Sequence, residues 1–538
     1  MRRRDFLKSS AAVTAGLAAP AIFPSSASAQ ARNETLLAIS ENAPNSQDIH
    51  GVGANRPAYE VSWNTYDRLM TYGVKKDANG NDHYDFQKIE PELAEDMNVG
   101  ANSITFKLKR GATFHDGTPV TAKDIKWSFD RAVTVGGFPT FQMKAGSLEK
   151  PEQFVVVDDL TFRVDLLRKD HMTIPDLAVP VPAIYNSELC KKNATAQDPW
   201  AMEFTKNNGA GGGAYRVSRW QPGTEVVYER FDDWKGGPLP KLRRVIWRTI
   251  PSAGNRRALL ERGDADISFD LPNKDFQELR AAQKLSVIGT PVENALQYIG
   301  MNTKEGPFAN VKVRQAVAFA IPYQKIMDAV LFGQAIPMFG DKDNVTTGFE
   351  WPQKHGYTTD LVKAKALLNE AGFPNGFETT MSFDLGLAGV NEPLSILVQE
   401  SLAQIGIRLT INKVPGANWR NELLKKNMPL ITNTFGGWLN YPEYFFFWAY
   451  HGQNAVFNTM SYQNPKMDGF IDAARTAGAN ADKGAYEAAV KGFIDLSFEE
   501  VPRIPLYQPL LNIAMQKNIT GYRYWFHRQL DYRQLVKA

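Results

Sequence analysis

Phe106-Lys107-Leu108-Lys109-Arg110-Gly111-Ala112-Thr113-Phe114-His115-Asp116-Gly117-Thr118-Pro119-Val120-Thr121-Ala122-Lys123-Asp124-Ile125 is the stretch whose reading decides the fold. With Ile104 just before it, Phe106 and Leu108 alternate with Thr105, Lys107 and Lys109, the period of a half-buried strand. Gly111 and Asp116-Gly117 are turn signals. Thr121 followed by Asp124 has the spacing of a capping box. Ile125, Phe129 and Ala132 then share one face of the helix it opens. Strand, turn and capped helix in twenty residues predict a mixed α/β chain.

The same grammar continues toward the C-terminus. A helix is predicted from about Leu361 to Ala371, stopping at Gly372 ahead of Pro374. Asn391 and Pro393 open another, with Leu394, Leu397, Val398, Ser401, Leu402 and Ile405 as its inner stripe. Gly406 closes it, and Ile407, Leu409 and Ile411 alternate as the following strand. Strand–helix–strand with short joints predicts βαβ units. Gly209-Ala210-Gly211-Gly212-Gly213 reads as a turn before a strand at Tyr215–Val217. A phosphate loop would need a Gly-Lys-Ser/Thr ending that runs into a helix.

Toward the N-terminus, Arg3-Arg4-Asp5-Phe6-Leu7-Lys8 is followed by an apolar run from Ala11 to Phe23 and by Ala27-Ser28-Ala29. Charged start, short apolar run and small-x-small site make an export signal, and the paired arginines resemble a twin-arginine leader. Residues 1–29 are therefore expected to be removed, with cleavage after Ala29 or Ala31. No cysteine lies near this site to anchor a lipid. The 538 residues suggest three to four domain-sized units, at roughly 150 residues each. The net charge of +3 sits in the leader, where Arg2, Arg3, Arg4 and Lys8 oppose Asp5, and the remainder is balanced. A nucleic-acid binder needs a basic field, and the global charge gives no support for one. The single Cys190 excludes an intramolecular disulfide, a CxxC motif and a thiolate metal cage.

Catalytic motifs are absent. The seven histidines are scattered and form no HExxH, and there is no GxSxG elbow and no G-x-G-x-x-G after a strand. Asp264 and Asp266 read as a helix-to-strand joint, since turns favour Gly and Asp. No catalytic residue, metal or cofactor is expected. A triad scattered along the chain leaves open an exported hydrolase or redox enzyme that uses the twin-arginine route.

Five segments, taken together, resemble the extracellular solute-binding proteins of peptide, nickel and opine ABC importers (family 5, cluster C, dipeptide- and oligopeptide-binding-protein-like). The stretch from Phe106 to Ile125 is similar to the family's long signature. Gly212-Gly213-Ala214-Tyr215-Arg216-Val217 with Trp220 and Pro222-Gly223, Phe231–Gly237, Gly263–Ile267 and Val311–Ala316 follow in the family's order. The resemblance implies a two-lobe periplasmic binding protein with a hinge and an extra subdomain in the first lobe. It implies a first lobe at 32–271, a second at 272–502 and a return at 503–538, with crossings near Asp270–Pro272 and Val501–Pro505. It implies a soluble, monomeric periplasmic protein that closes on a peptide or small solute. The protein would then dock on a membrane permease driven by an ATPase, both separate chains. A sensory binding protein fits the same residues.

The site expectations come from the same resemblance. Residues 438–450 hold eight aromatics, which suit a ligand wall. Phe445 to Phe447 are expected in the core and Trp438 and Tyr441 in the cleft. In peptide binders an aspartate in this loop pairs with the amino terminus. Here Asn440 replaces it in a loop one residue shorter, and an amide cannot form the charge-assisted bond. Glu443 is a candidate substitute from the next turn. The stretch Ser382–Ala388, which carries the carboxylate-binding arginine in dipeptide binders, offers Asp384 and no arginine. Asp270, at the first crossing, completes the expected ligand-binding set.

Overall fold

The computed structural model describes residues 33–51, 53–340, 351–453, 457–527 and 529–538. The expected leader, 1–29, lies outside the described residues.

The deciding stretch folds as read. Strand Ser103–Leu108 buries Ile104, Phe106 and Leu108. Helix Ala122–Thr134 starts at a Thr121 capping box, in which Thr121 N donates to Asp124 Oδ2 at 2.9 Å. Ile125, Phe129 and Ala132 are fully buried. The strand is central in a four-stranded antiparallel sheet with Ala94–Val99, Thr161–Asp165 and Phe154–Asp158, and the helix packs on it.

A twelve-stranded sheet links the two lobes through one 13-residue strand, Arg503–Met515. Its first half pairs with Ala295–Met301, beside which lie Leu430–Gly436, Glu378–Asp384 and Arg408–Val414. Its second half pairs with Ile267–Ser268, beside which lie Thr35–Ser40 and Arg244–Thr249. Glu378–Asp384 and Arg408–Val414 are parallel and joined by helix Ala388–Ala403, the predicted βαβ unit. That helix begins three residues before Asn391. The reason is local: Asp384 Oδ1 accepts from Gly386 N at 2.8 Å and starts a 3-10 turn that runs straight into the helix. Helix Leu361–Glu370 ends as read, with Gly372 at φ +86°.

Helix Asn273–Ala282 places Phe276 and Leu279 against Ile39, Leu260 and Ala514. Strand Ser286–Pro291 pairs with Leu510–Met515. Residues 273–291 therefore pack with strand Thr35–Ser40 and the second half of strand Arg503–Met515. Pro272 is the N-cap of that helix.

The glycine run makes the turn before strand Tyr215–Gln221. A Cβ at Gly211 would run into the Thr65 carbonyl, and one at Gly213 would sit 2.6 Å from the Thr65 carbonyl carbon. The run thus seats the C-terminal end of helix Arg56–Thr65. Asp264 pairs with Arg262, while Asp266 accepts from Leu37 N and Lys537 Nζ, both at 2.8 Å. Both acids are structural.

Candidate functional site

Helix Arg56–Thr65 begins at Asn55, whose side chain accepts from Ala58 N at 3.1 Å, with Pro57 in the first turn. Its inner face, including Val61 and Trp63, is buried, while Arg56 and Tyr59 face a cavity of about 250 Å³. Helix Gly137–Ala145 adds Phe138, Phe141 and Gln142, and the C-terminal segment adds Phe526 and His527. The opposite wall comes from the second lobe. It consists of the end of strand Leu430–Gly436, the loop to Trp438, Tyr444 and Trp448 of helix Pro442–Ala449, and Arg420 of helix Gly416–Lys425.

The wall is mostly aromatic and fixed by mutual packing. Trp438 meets Tyr59 edge-on at 5.1 Å, Phe138 at 5.2 Å and His527 at 4.7 Å. Gly437 lets the Tyr444 ring lie against the loop, where a Cβ would collide with it. Tyr444 OH donates to Gln142 Oε1 at 2.7 Å, and Gln142 Nε2 donates to Asp176 at 2.5 Å. Asn294 Nδ2 holds Gly437 O at 2.6 Å.

The charges are one-sided. Arg56 and Arg420 line the cavity from opposite lobes, and no lining residue is an Asp or Glu. Arg56 Nη1 donates to His527 O at 2.9 Å. Burial, helped by Arg56 and Arg68, drives the His527 imidazole far down, so it is neutral. Its Nε2 has no partner among the described residues. Burial raises the Tyr59 phenol, and both Arg56 and Arg420 pull it the other way, so both guanidiniums act on this one hydroxyl.

Of the expected residues, Trp438 lines this cavity. Tyr441 lies beside it, against His171 at 5.1 Å, in a neighbouring hollow of about 300 Å³. Asn440 is half-buried and lines neither. Glu443 is fully buried, accepting from His171 Nε2 and Tyr486 OH, both at 2.7 Å. Asp384 caps its own 3-10 turn. Asp270 accepts from Glu41 N at 2.9 Å. Neither of these two lines the cavity. Phe445 and Phe446 are core, as read. The sequence reading missed Arg56, Tyr59, Arg420 and His527. Only the Asn55-Arg56-Pro57 helix start was a signal, and it reports a cap, not a ligand.

The lobes also touch beside the cavity. His171–Glu443 crosses between them, as does Arg475 Nη2 to Asp170 Oδ2 at 2.9 Å. Among the described residues no group of three or more His, Cys, Asp or Glu is placed to hold a metal ion, and no helix is long and apolar enough to cross a membrane.

Residues 88–457 match the family model described as bacterial extracellular solute-binding proteins, family 5 middle, and residues 1–20 match the twin-arginine translocation signal. The chain is similar to the glutathione-binding protein GsiB of Pectobacterium atrosepticum, 29% identical over 448 residues, covering 80% of this chain and 82% of that one. It is 28% identical over 450 residues to GsiB of Escherichia coli, covering 81% and 83%. Among solved structures, it resembles the periplasmic binding protein AgaA of A. tumefaciens R10 in complex with agropinic acid. The TM-score is 0.77 at 24% identity, covering 94% of this chain and 99% of that one. It resembles DppA of Helicobacter pylori in complex with the peptide STSA equally, with a TM-score of 0.77 at 20% identity, covering 94% and 98%.

Proposed function

This chain belongs to family 5 of the bacterial extracellular solute-binding proteins, the capture components of ABC importers, and we propose that its solute is peptide-like or opine-like and sits in the cavity between Tyr59 and Trp438. The protein carries a twin-arginine signal and works in the periplasm. It hands its solute to a membrane permease. On this reading it binds without catalysis and acts as a single chain.

One observation carries the proposal: the cavity is built half from each lobe, beside the places where the chain passes between them. We place those crossings at Val292–Asn294 and Tyr507–Pro509. Val292 N donates to Pro509 O at 2.9 Å, and Gln508 Nε2 donates to Val292 O at 2.9 Å. Two short adjacent strands of backbone are what a hinge needs, and a solute that touches both walls favours the closed state. The relatives named for glutathione and the structures holding a peptide and agropinic acid support a peptide-like or opine-like solute.

The test is mass spectrometry of the solute released by denaturing natively purified protein, followed by its titration back into emptied protein. The expected result is a peptide-like or opine-like compound that rebinds and shrinks the radius of gyration in small-angle scattering. A metal complex, or a solute that binds without contraction, would refute it.

A further inference from the structure

The cavity's charge is unbalanced, and this says more about the solute than its size does. Two guanidiniums face the space, one from each lobe. Arg420 makes no hydrogen bond or ion pair among the described residues, and its nearest recorded ring, Phe457, is 5.9 Å away. Three acids near the cleft wall have partners outside the cavity, with Asp176 Oδ2 and Glu293 Oε2 left without a hydrogen bond among the described residues. Glu443 is enclosed by His171 and Tyr486, Asp176 holds Gln142, and Glu293 at the hinge lies 3.8 Å from Lys75. None of them lines the cavity.

From this, and resting on the reading of the cavity as the solute site, we propose that the cleft selects an organic acid of net negative charge with no free ammonium group, its carboxylate held between Arg56 and Arg420 and its apolar body laid on Tyr59, Phe138 and Trp438. The physical reasons are three. A buried carboxylate loses its hydration and must regain it from charge-assisted donors, which a planar guanidinium fork supplies in pairs. An ammonium entering the same space would find aromatic faces but no carboxylate, with two cations opposing it. Closing the empty cleft brings Arg56 and Arg420 toward each other, and an anion between them removes that repulsion. The unpartnered Nε2 of the buried, neutral His527 offers one more hydrogen bond to an oxygen-rich solute.

Four probes with one body separate charge from shape: N-acetyl-Phe-Ala (anion), Phe-Ala (zwitterion), N-acetyl-Phe-Ala-amide (neutral) and Phe-Ala-amide (cation). Calorimetric titration into the full mature chain should rank the anion first, about 10- to 100-fold tighter than the neutral form, with the cation weakest. Arg420→Gln should remove most of the anion's advantage over its amide. Arg420→Lys, which keeps the charge and loses the fork, should remove less. Arg420 is solvent-exposed, so neither variant disturbs the core. Arg56→Gln should act in the same direction. Equal affinity for all four probes would overturn charge selection while leaving solute capture standing. So would tightest binding of the zwitterion or the cation. Binding of none of the four would overturn the peptide-like reading and this proposal together.

Discussion

Replacing Glu443 with Gln should loosen the closed form without altering a residue that lines the solute cavity. Glu443 has no exposed side-chain surface and accepts two hydrogen bonds. Tyr486 belongs to the same lobe, on helix Lys483–Glu500, so that bond survives opening. His171 belongs to the other lobe, so its bond exists only when the lobes meet. A hydrogen bond to a charged group contributes about 1.5–3 kcal/mol and a neutral one about 1 kcal/mol. Glu443→Gln therefore removes about 0.5–2 kcal/mol from closure, a shift of roughly 2- to 30-fold in the open–closed ratio. The solute recovered from the wild type should bind more weakly by that factor, mainly through faster release, and scattering at sub-saturating solute should report a larger radius of gyration. Tyr486→Phe is the control, since it removes the bond that lies within one lobe and should change closure less. The Arg475–Asp170 pair works across the same seam, and because Asp170 adjoins His171, Glu443→Gln and Arg475→Gln should couple rather than simply add. Unchanged affinity and unchanged scattering in Glu443→Gln would refute the idea that this contact holds the lobes.

Asp48 is fully buried with Arg131 at 2.6 Å, and Tyr185 and Thr205 also donate to it. Asp48→Asn strands the Arg131 charge and should destabilise the first lobe by about 3–5 kcal/mol in denaturant melts. Burial lifts the Glu60 carboxyl to about 8, against the lowering bonds from Tyr532 and Leu530. An acid raised on folding stabilises below its unfolded value near 4.5 and loses that stability as pH rises through 8. Glu60→Gln should therefore gain on the wild type by on the order of 4 kcal/mol between about pH 5 and pH 8 in calorimetry, and parallel melting curves would contradict this. Gly211→Ala, driven against the Thr65 carbonyl, should cost about 1–3 kcal/mol by thermal unfolding.

What was legible in the sequence was local. The alternation of Ile104, Phe106 and Leu108 and the Thr121–Asp124 cap are neighbours in the chain, and both elements formed where the pattern put them. The glycine run read correctly as a turn for the same reason. Less was legible where a residue's role depends on distant packing. Proline ends and begins elements alike, so Pro272 alone does not say where a crossing lies, and the pairing of Ser286–Pro291 with Leu510–Met515 joins residues far apart in the chain. Glu443 lies five residues from Trp438. The helix starting at Pro442 turns that side chain away toward His171. Arg56, Tyr59, Arg420 and His527 come from three separate segments, and none carries a motif. No spacing rule could have gathered them.

The same geometry explains why the site had to be scattered. A cleft that senses its solute by closing must divide its contacts between the two moving bodies, because contacts confined to one lobe bind the open and closed forms equally and shift nothing. Tyr59 and Trp438 meet only across the seam, and the two arginines stand on opposite sides of it. The His171–Glu443 and Asp170–Arg475 contacts involve no residue that lines this cavity, and on the proposed reading they add a constant term to closure whatever is bound. The cavity residues add the term that depends on the solute. Specificity then resides in the second term alone, and the constant term sets how strongly any accepted solute is held.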